Sequence, residues 1–525
     1  MCAAVMEGAG HRLEDERATV PRIVLPIPPR GVEVTDRLCW GILAVAMAVA
    51  AGLILYLNRG TTFYLDELVH VYGSPTLDAR GVIEPVNGHL AITTKLVYKG
   101  VLETIGAEYI AFRLLHVAAF LLAAALFYAL ARRRIGAFAA LAPTIVLLFF
   151  GSAFSHVVIP VGLGIFVSVS AALGALLCLE RDDRRGDVAA CALMVLSIST
   201  FTIGLAFLVG VAISVLLRDD RVRRAWVFLV PLVLYAAWWV WSLSESGSSE
   251  GETELSNVAE IPRWIADSLS VTVAALLGVE YDFPGGSIFG ALGWGRVLAA
   301  LAIVALALRI ARGRIPTSLW VSLGILVAYW CLGAFAAEPG VRGPGATRYL
   351  YPAAVMVLLV ATDAARSVRF SGLGLFALFA IVAFSLSTNV ERLQYGGSGL
   401  RDYSAKARAQ FGVLELARDH VAPAFNPAVA DPEASPVGAL AGIYFESVDR
   451  YGSLGYTPAE LERQSEEVRS GADSILARAL DVRLRPARED QARGCEVFRA
   501  DEAEGTVAFE LPPGGALLRA QGPEP

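Results

Sequence analysis

Apolar runs of about twenty residues with few or no charges, separated by short clusters of arginine, limit what this chain can fold into more than any other feature. The first, Leu38 to Leu57, carries no charge and as a helix crosses the roughly 30 Å hydrocarbon core of a bilayer. Further runs recur near 111–130, 138–157, 161–179, 225–243, 291–309, 317–336, 350–365 and 371–388. Val188 to Leu217 is long for one crossing and basic at both flanks. It reads as two short crossings that turn near Ser197-Ile198-Ser199-Thr200, which brings the count to about eleven spans. With 55% hydrophobic and 18% charged residues and a mean hydropathy of +0.56, the chain is expected to be a polytopic, all-α membrane protein, so its net charge says little about partners.

The basic clusters orient it. Arg132-Arg133-Arg134, Arg181 with Arg184 and Arg185, Arg218 to Arg224, and Arg309 with Arg312 and Arg314 mark the cytoplasmic ends of spans. The tail 1–37 carries Arg12, Arg17, Arg22, Arg30 and Arg37, so it is expected on the cytoplasmic side of the plasma membrane, with the first span as an uncleaved anchor. The membrane domain then covers 38–388, with outer segments 58–110, 244–290 and 338–349. Segment 244–290 starts with the polar, low-complexity stretch Ser244 to Glu252, which suits a lid. Ile261 to Val279 follows as an amphipathic helix expected along the membrane surface. Past Thr388 the composition turns polar, and 389–525 reads as a small extracytoplasmic α+β domain. Its landmarks are helical periodicity over Tyr403 to Val421, the capping box Thr457-Pro458-Ala459-Glu460 opening a helix to about Leu480, and strands over Cys495 to Arg519.

Neither a phosphate loop nor a dinucleotide fingerprint is present, and no cysteine spacing suggests zinc or a disulfide framework. Chemistry is therefore sought on the outer segments. Thr61-Thr62-Phe63-Tyr64-Leu65-Asp66-Glu67 sets two carboxylates just beyond the first span. Nucleotide-activated donors are confined to the cytoplasm, so a transfer outside needs a donor that crosses with its leaving group attached, and a lipid-linked phosphosugar fits. The acceptor hydroxyl needs a base, for which Asp66 is the first choice and Glu67 the second. The departing lipid phosphate needs positive charge. Arg348, beside Tyr349 where an outer segment enters a span, leads, followed by Arg342, Lys95 and Lys99. His89 can position a hydroxyl or a phosphate oxygen. Arg113 and His116 are expected as partners for the loop carboxylates.

The Leu65-Asp66-Glu67 motif after a first span, then Asn87-Gly88-His89, and Arg348-Tyr349 opening a late span together resemble the GT-C superfamily of integral membrane glycosyltransferases, within it the protein O-mannosyltransferase and aminoarabinose transferase branch. The resemblance covers Leu38 to Thr388. It implies inverting transfer from a polyprenyl-phosphate sugar to an envelope glycan, lipid or protein, with Asp66 as general base and Arg348 toward the phosphate. A second acidic site has only Glu280, Asp282 and Glu338 to offer. No metal, other cofactor or nucleic-acid partner is expected. A lipid or glycan transporter, or an inactive scaffold of the same fold, is the alternative, although nearly charge-free spans speak for surface chemistry over passage.

Overall fold

The structure is a computed structural model that describes residues 24–25, 32–33, 36–245, 255–279, 292–313, 315–337, 342–366, 368, 371–427 and 439–480. The chain begins with a two-residue antiparallel pairing of β1 (Val24–Leu25) with β2 (Val32–Glu33). Helices α1 (Asp36–Leu57), α2 (Asp66–Gly73), α3 (Ala79–Ile83), α4 (Ile92–Ile105), α5 (Tyr109–Ile135) and α6 (Ala137–Leu148) come next. They are followed by α7 (Phe154–Val157), α8 (Leu163–Leu179), α9 (Arg184–Thr200), α10 (Gly204–Leu216), α11 (Arg221–Arg224), α12 (Trp226–Glu245) and α13 (Ile261–Leu276). The rest are α14 (Leu292–Ala311), α15 (Thr317–Phe335), α16 (Thr347–Ala364), α17 (Gly372–Leu416), α18 (Ala441–Tyr451), α19 (Pro458–Leu461) and α20 (Glu466–Ala479).

Eight helical segments among the described residues are long and apolar enough to cross a membrane, and this is a multi-pass membrane protein. The segments of the other three expected crossings are helical, as α9, α10 and α16, but are not among those eight. The break between α9 and α10 falls at Phe201–Ile203, directly after the predicted Ser197–Thr200 turn. Large side chains such as Leu373, Phe376 and Phe384 on α17 and Val233 and Val240 on α12 are exposed, as lipid-facing surface must be. Phe120, Phe166 and Tyr351 meet edge-to-face inside the bundle and are fully buried.

Arginines gather at one end. Arg132 pairs with Asp36 at 3.0 Å, Arg133 with Glu180 at 2.6 Å, and Arg224 with Asp187 at 3.0 Å. The buried Arg134–Asp363 pair, 2.8 Å apart, ties α5 to α16 there. Because α1 starts at this end, the segment that follows Leu57 lies at the opposite end.

Several sequence expectations change here. Segment 58–110 is not an open loop but three helices, α2 to α4. Helix α13 does not lie on a surface: it packs among α14, α15 and α16 and buries Trp264, Asp267, Ser268 and Thr272. The helix expected from Thr457 to about Leu480 is split into α19 and α20, although the Thr457–Glu460 capping box forms as read. The lid residues 246–254, the carboxylates Glu280, Asp282 and Glu338, and the strands over Cys495 to Arg519 lie outside the described residues.

The expected boundary at Thr388 falls inside α17, which continues as one helix for 45 residues. Gly151 permits its passage, since a Cβ there would meet the Asn389 carbonyl oxygen at 1.7 Å. Asn389 anchors the crossing by accepting from Ser152 N at 3.0 Å and donating to Ala275 O at 3.1 Å. Beyond it, α17 enters a second hydrophobic core, which Phe63, Leu68, Tyr98 and Phe112 share with Phe411, Tyr444, Tyr451 and Ile475. Tyr64 meets Tyr403 with ring centroids 4.5 Å apart, and Thr62 N donates to Ser404 Oγ at 3.2 Å. The described part of the tail is thus continuous with segment 58–110 rather than a separate unit.

Candidate functional site

Helix α2 starts on a strained residue. Leu65 has φ of +32°, a conformation that costs a branched side chain on the order of 1 kcal/mol or more. What holds it is Glu67. Its carboxylate, fully buried, accepts from the Tyr64 N–H at 3.0 Å, the Tyr98 hydroxyl at 2.9 Å and the Tyr109 hydroxyl at 2.9 Å. Burial outweighs these bonds and pushes the carboxyl up to about 7. The neighbouring carboxylate has the opposite fate, because Asp66, one residue earlier on the helix, is exposed. The two adjacent carboxylates therefore separate into one buried clamp and one exposed carboxylate.

Asn87 and Gly88 are the central residues of a tight turn. Val86 and His89 exchange backbone hydrogen bonds at 3.0 and 2.8 Å, with φ of +48° at Asn87 and +76° at Gly88. Positive φ at both positions is what an Asn-Gly pair supplies at least cost. The turn aims the Asn87 side chain at α2, where Nδ2 donates to Asp66 Oδ1 at 3.3 Å. His89 pins the other side: its Nδ1 lies 2.6 Å from Thr202 Oγ1, and its ring packs on Phe201 with centroids 4.4 Å apart. Burial, then the Arg342 charge, pushes His89 down to about 4, so it is a neutral pin. His89 therefore lies within the field of Arg342.

The lysines are differently employed. Lys95 Nζ donates to Gly81 O at 2.5 Å and Glu84 O at 2.7 Å, capping the end of α3. Lys99 Nζ donates to Ser74 O at 2.8 Å and pairs with Glu103 at 3.4 Å. Lys95 also borders a cavity of ≈ 460 Å³ between α2, α3 and the start of α4, with His70, Ser74, Asp78 and Arg80 among its walls.

Arg348 is exposed on the first turn of α16, with its guanidinium 5.4 Å from the Tyr349 ring centre. The preceding Thr347 donates to Ser155 Oγ at 2.7 Å, and His156 lies within the field of Arg348. The Tyr349 carbonyl accepts from the Tyr329 hydroxyl at 3.0 Å. An exposed arginine on the first turn of a helix suits an anion. Arg113 donates to Thr61 O at 2.7 Å and lies within the field of Glu67, whereas His116 faces the Val157 carbonyl at 3.0 Å and not the carboxylates.

Sequence reasoning missed Asn87 as the partner of Asp66, Tyr98 and Tyr109 as the cage of Glu67, and Thr202 as the anchor of His89. Only the first left a signal, since Asn-Gly announces a turn.

No protein-family profile matches this sequence, and no curated protein matches it. Two solved structures are similar in part. ArnT from Cupriavidus metallidurans in the apo state has 16% identity and a TM-score of 0.45, over 74% of this chain and 82% of that one. ArnT from Cupriavidus metallidurans bound to undecaprenyl phosphate has 15% identity and a TM-score of 0.39, over 82% and 88%.

Proposed function

We propose that this protein is a membrane glycosyltransferase of the GT-C type that moves a sugar from a polyprenyl-phosphate donor to an envelope acceptor outside the plasma membrane. The observation that carries the reading is the exposed Asp66, fixed by Asn87 at 3.3 Å on a helix that its neighbour Glu67 locks from beneath. The gathering of arginines at the opposite end supports an extracytoplasmic position for this site by the positive-inside rule.

In the proposed step the Asp66 carboxylate takes the proton of the acceptor hydroxyl. The freed oxygen bonds to the anomeric carbon as the bond from that carbon to the phosphate oxygen breaks, with inversion. The electron pair leaves on the lipid phosphate, which Arg348 and the start of α16 stabilise, with Arg342 as a second cation on the His89 side. Glu67 and His89 act by positioning.

The deciding experiment follows loss of sugar from radiolabelled polyprenyl-phosphate donors in membranes carrying wild type, Asp66→Asn or Arg348→Ala. Transfer by wild type that collapses in Asp66→Asn at equal protein level supports the reading. Equal transfer by Asp66→Asn removes the base, and no transfer by wild type across the donors moves weight to a transporter or an inactive scaffold.

A further inference from the structure

The ≈ 460 Å³ cavity between α2, α3 and α4 is tied to Asp66 by helical geometry. Val69, His70 and Gly73, which wall it, stand three, four and seven residues after Asp66, so all four share one face of α2. The rise from Asp66 to His70 is about 6 Å along the axis. From the other side, Pro85 and Val86 wall the same cavity, and the next residue, Asn87, is bonded to Asp66. Both flanks of the cavity therefore lead to the proposed base.

Its lining selects a chemical class. Arg80 and Lys95 bring two positive charges, and Asp78 and Glu84 bring two negative ones. Arg80 lies 3.7 Å from Glu84, and Asp78 accepts from Gly81 N at 2.7 Å. Burial, then Lys95, pushes His70 down to about 4, so it adds no charge. Lys95 is 9% exposed, and two of its three ammonium donors are taken by carbonyls. Balanced charge with mixed donors and acceptors suits hydroxyl groups better than an anion, and Val69, Leu77, Pro85 and Val86 offer the apolar surface that a sugar ring covers. The volume lies within the range of small-ligand sites.

We infer that this cavity binds a neutral, hexose-sized sugar, the terminal residue of a carbohydrate acceptor, and presents one of its hydroxyls to Asp66. The word acceptor rests on the transferase reading; the binding does not.

The test is saturation-transfer NMR on the full chain in lipid nanodiscs, with a panel of neutral methyl hexosides as probes, comparing wild type, Gly73→Phe, Thr76→Trp and Asp66→Asn. A Cβ at Gly73 meets nothing within 4 Å, and Thr76 is an exposed turn residue, so both variants fill space without opening the core. The expected result is saturation of at least one hexoside by wild type and Asp66→Asn, with binding about tenfold weaker in both cavity variants. Unchanged binding in both cavity variants, or no saturation of any hexoside by folded wild type, overturns the inference. Because binding needs no turnover, a wild type that binds hexosides through this cavity but transfers no sugar separates failure of the transferase reading from failure of the site.

Discussion

The Asn87 side-chain amide lies 3.3 Å from Asp66 Oδ1, although the two residues stand on different elements. The contact fixes one oxygen of the carboxylate, and in the proposed step the other faces the incoming hydroxyl. Asn87→Gly keeps the positive φ that the turn needs but deletes the donor. It is expected to lower kcat about fivefold, the equivalent of roughly 1 kcal/mol, with no change in thermal stability. Steady-state transfer and a melting curve on the same preparation check both halves.

Asp66→Asn is expected to lower transfer by roughly 10² to 10⁴, the usual contribution of a general base. Since the side chain is exposed, the cost to stability is at most about 1 kcal/mol, from the lost charge on the first turn of a helix. Expression level and melting temperature are the controls.

Glu67 predicts a pH dependence of stability rather than of chemistry. Its carboxyl rises from an ordinary 4.5 to about 7, so the fold holds a proton that the unfolded chain releases above pH 4.5. That stabilisation is complete below pH 4.5 and is lost as pH rises through 7, to a total of about 3 kcal/mol. Glu67→Gln is expected to flatten this part of the profile, as measured by thermal unfolding in detergent from pH 4 to 8.

Gly106 has φ of +83°, and a Cβ there would lie 2.8 Å from the Tyr451 carbonyl oxygen, to which Ala107 N donates at 2.9 Å. Gly106→Ala is expected to cost about 1–3 kcal/mol and to raise hydrogen exchange in both α4 and α18. Gly100→Ala, within α4 and with open space around its Cβ, is expected to be neutral or slightly stabilising.

Arg348→Lys keeps a charge but loses the planar fork that grips a phosphate. For a role at the lipid phosphate, kcat/KM for donor is expected to fall about tenfold in Arg348→Lys and further in Arg348→Ala, with the acceptor KM unchanged. Varying donor and acceptor separately distinguishes this from general loss of fold.

Much of the membrane part was legible because span length and arginine placement are imposed by the bilayer itself. The turn between α9 and α10 and the capping box at Thr457 could be read for a similar reason, since local chemistry dictates both. What could not be read is what depends on distant pairing. Nothing near Glu67 in sequence announces Tyr98 and Tyr109, so Glu67 could be ranked behind Asp66 as a base but not recognised as a buried clamp. Likewise the polar composition after Thr388 marks departure from lipid, not the end of a helix, and the apolar residues scattered through 403–479 find their partners in segment 58–110.

The unbroken α17 also has a mechanical consequence. At about 1.5 Å per residue its 45 residues extend about 68 Å, more than twice the thickness of the hydrocarbon core. A rigid rod held at Asn389 and rocked by about 5° would move Tyr403, roughly 21 Å further along, by about 2 Å. Tyr403 packs against Tyr64, two residues before Asp66. One continuous helix thereby joins the membrane bundle to the segment that bears Asp66.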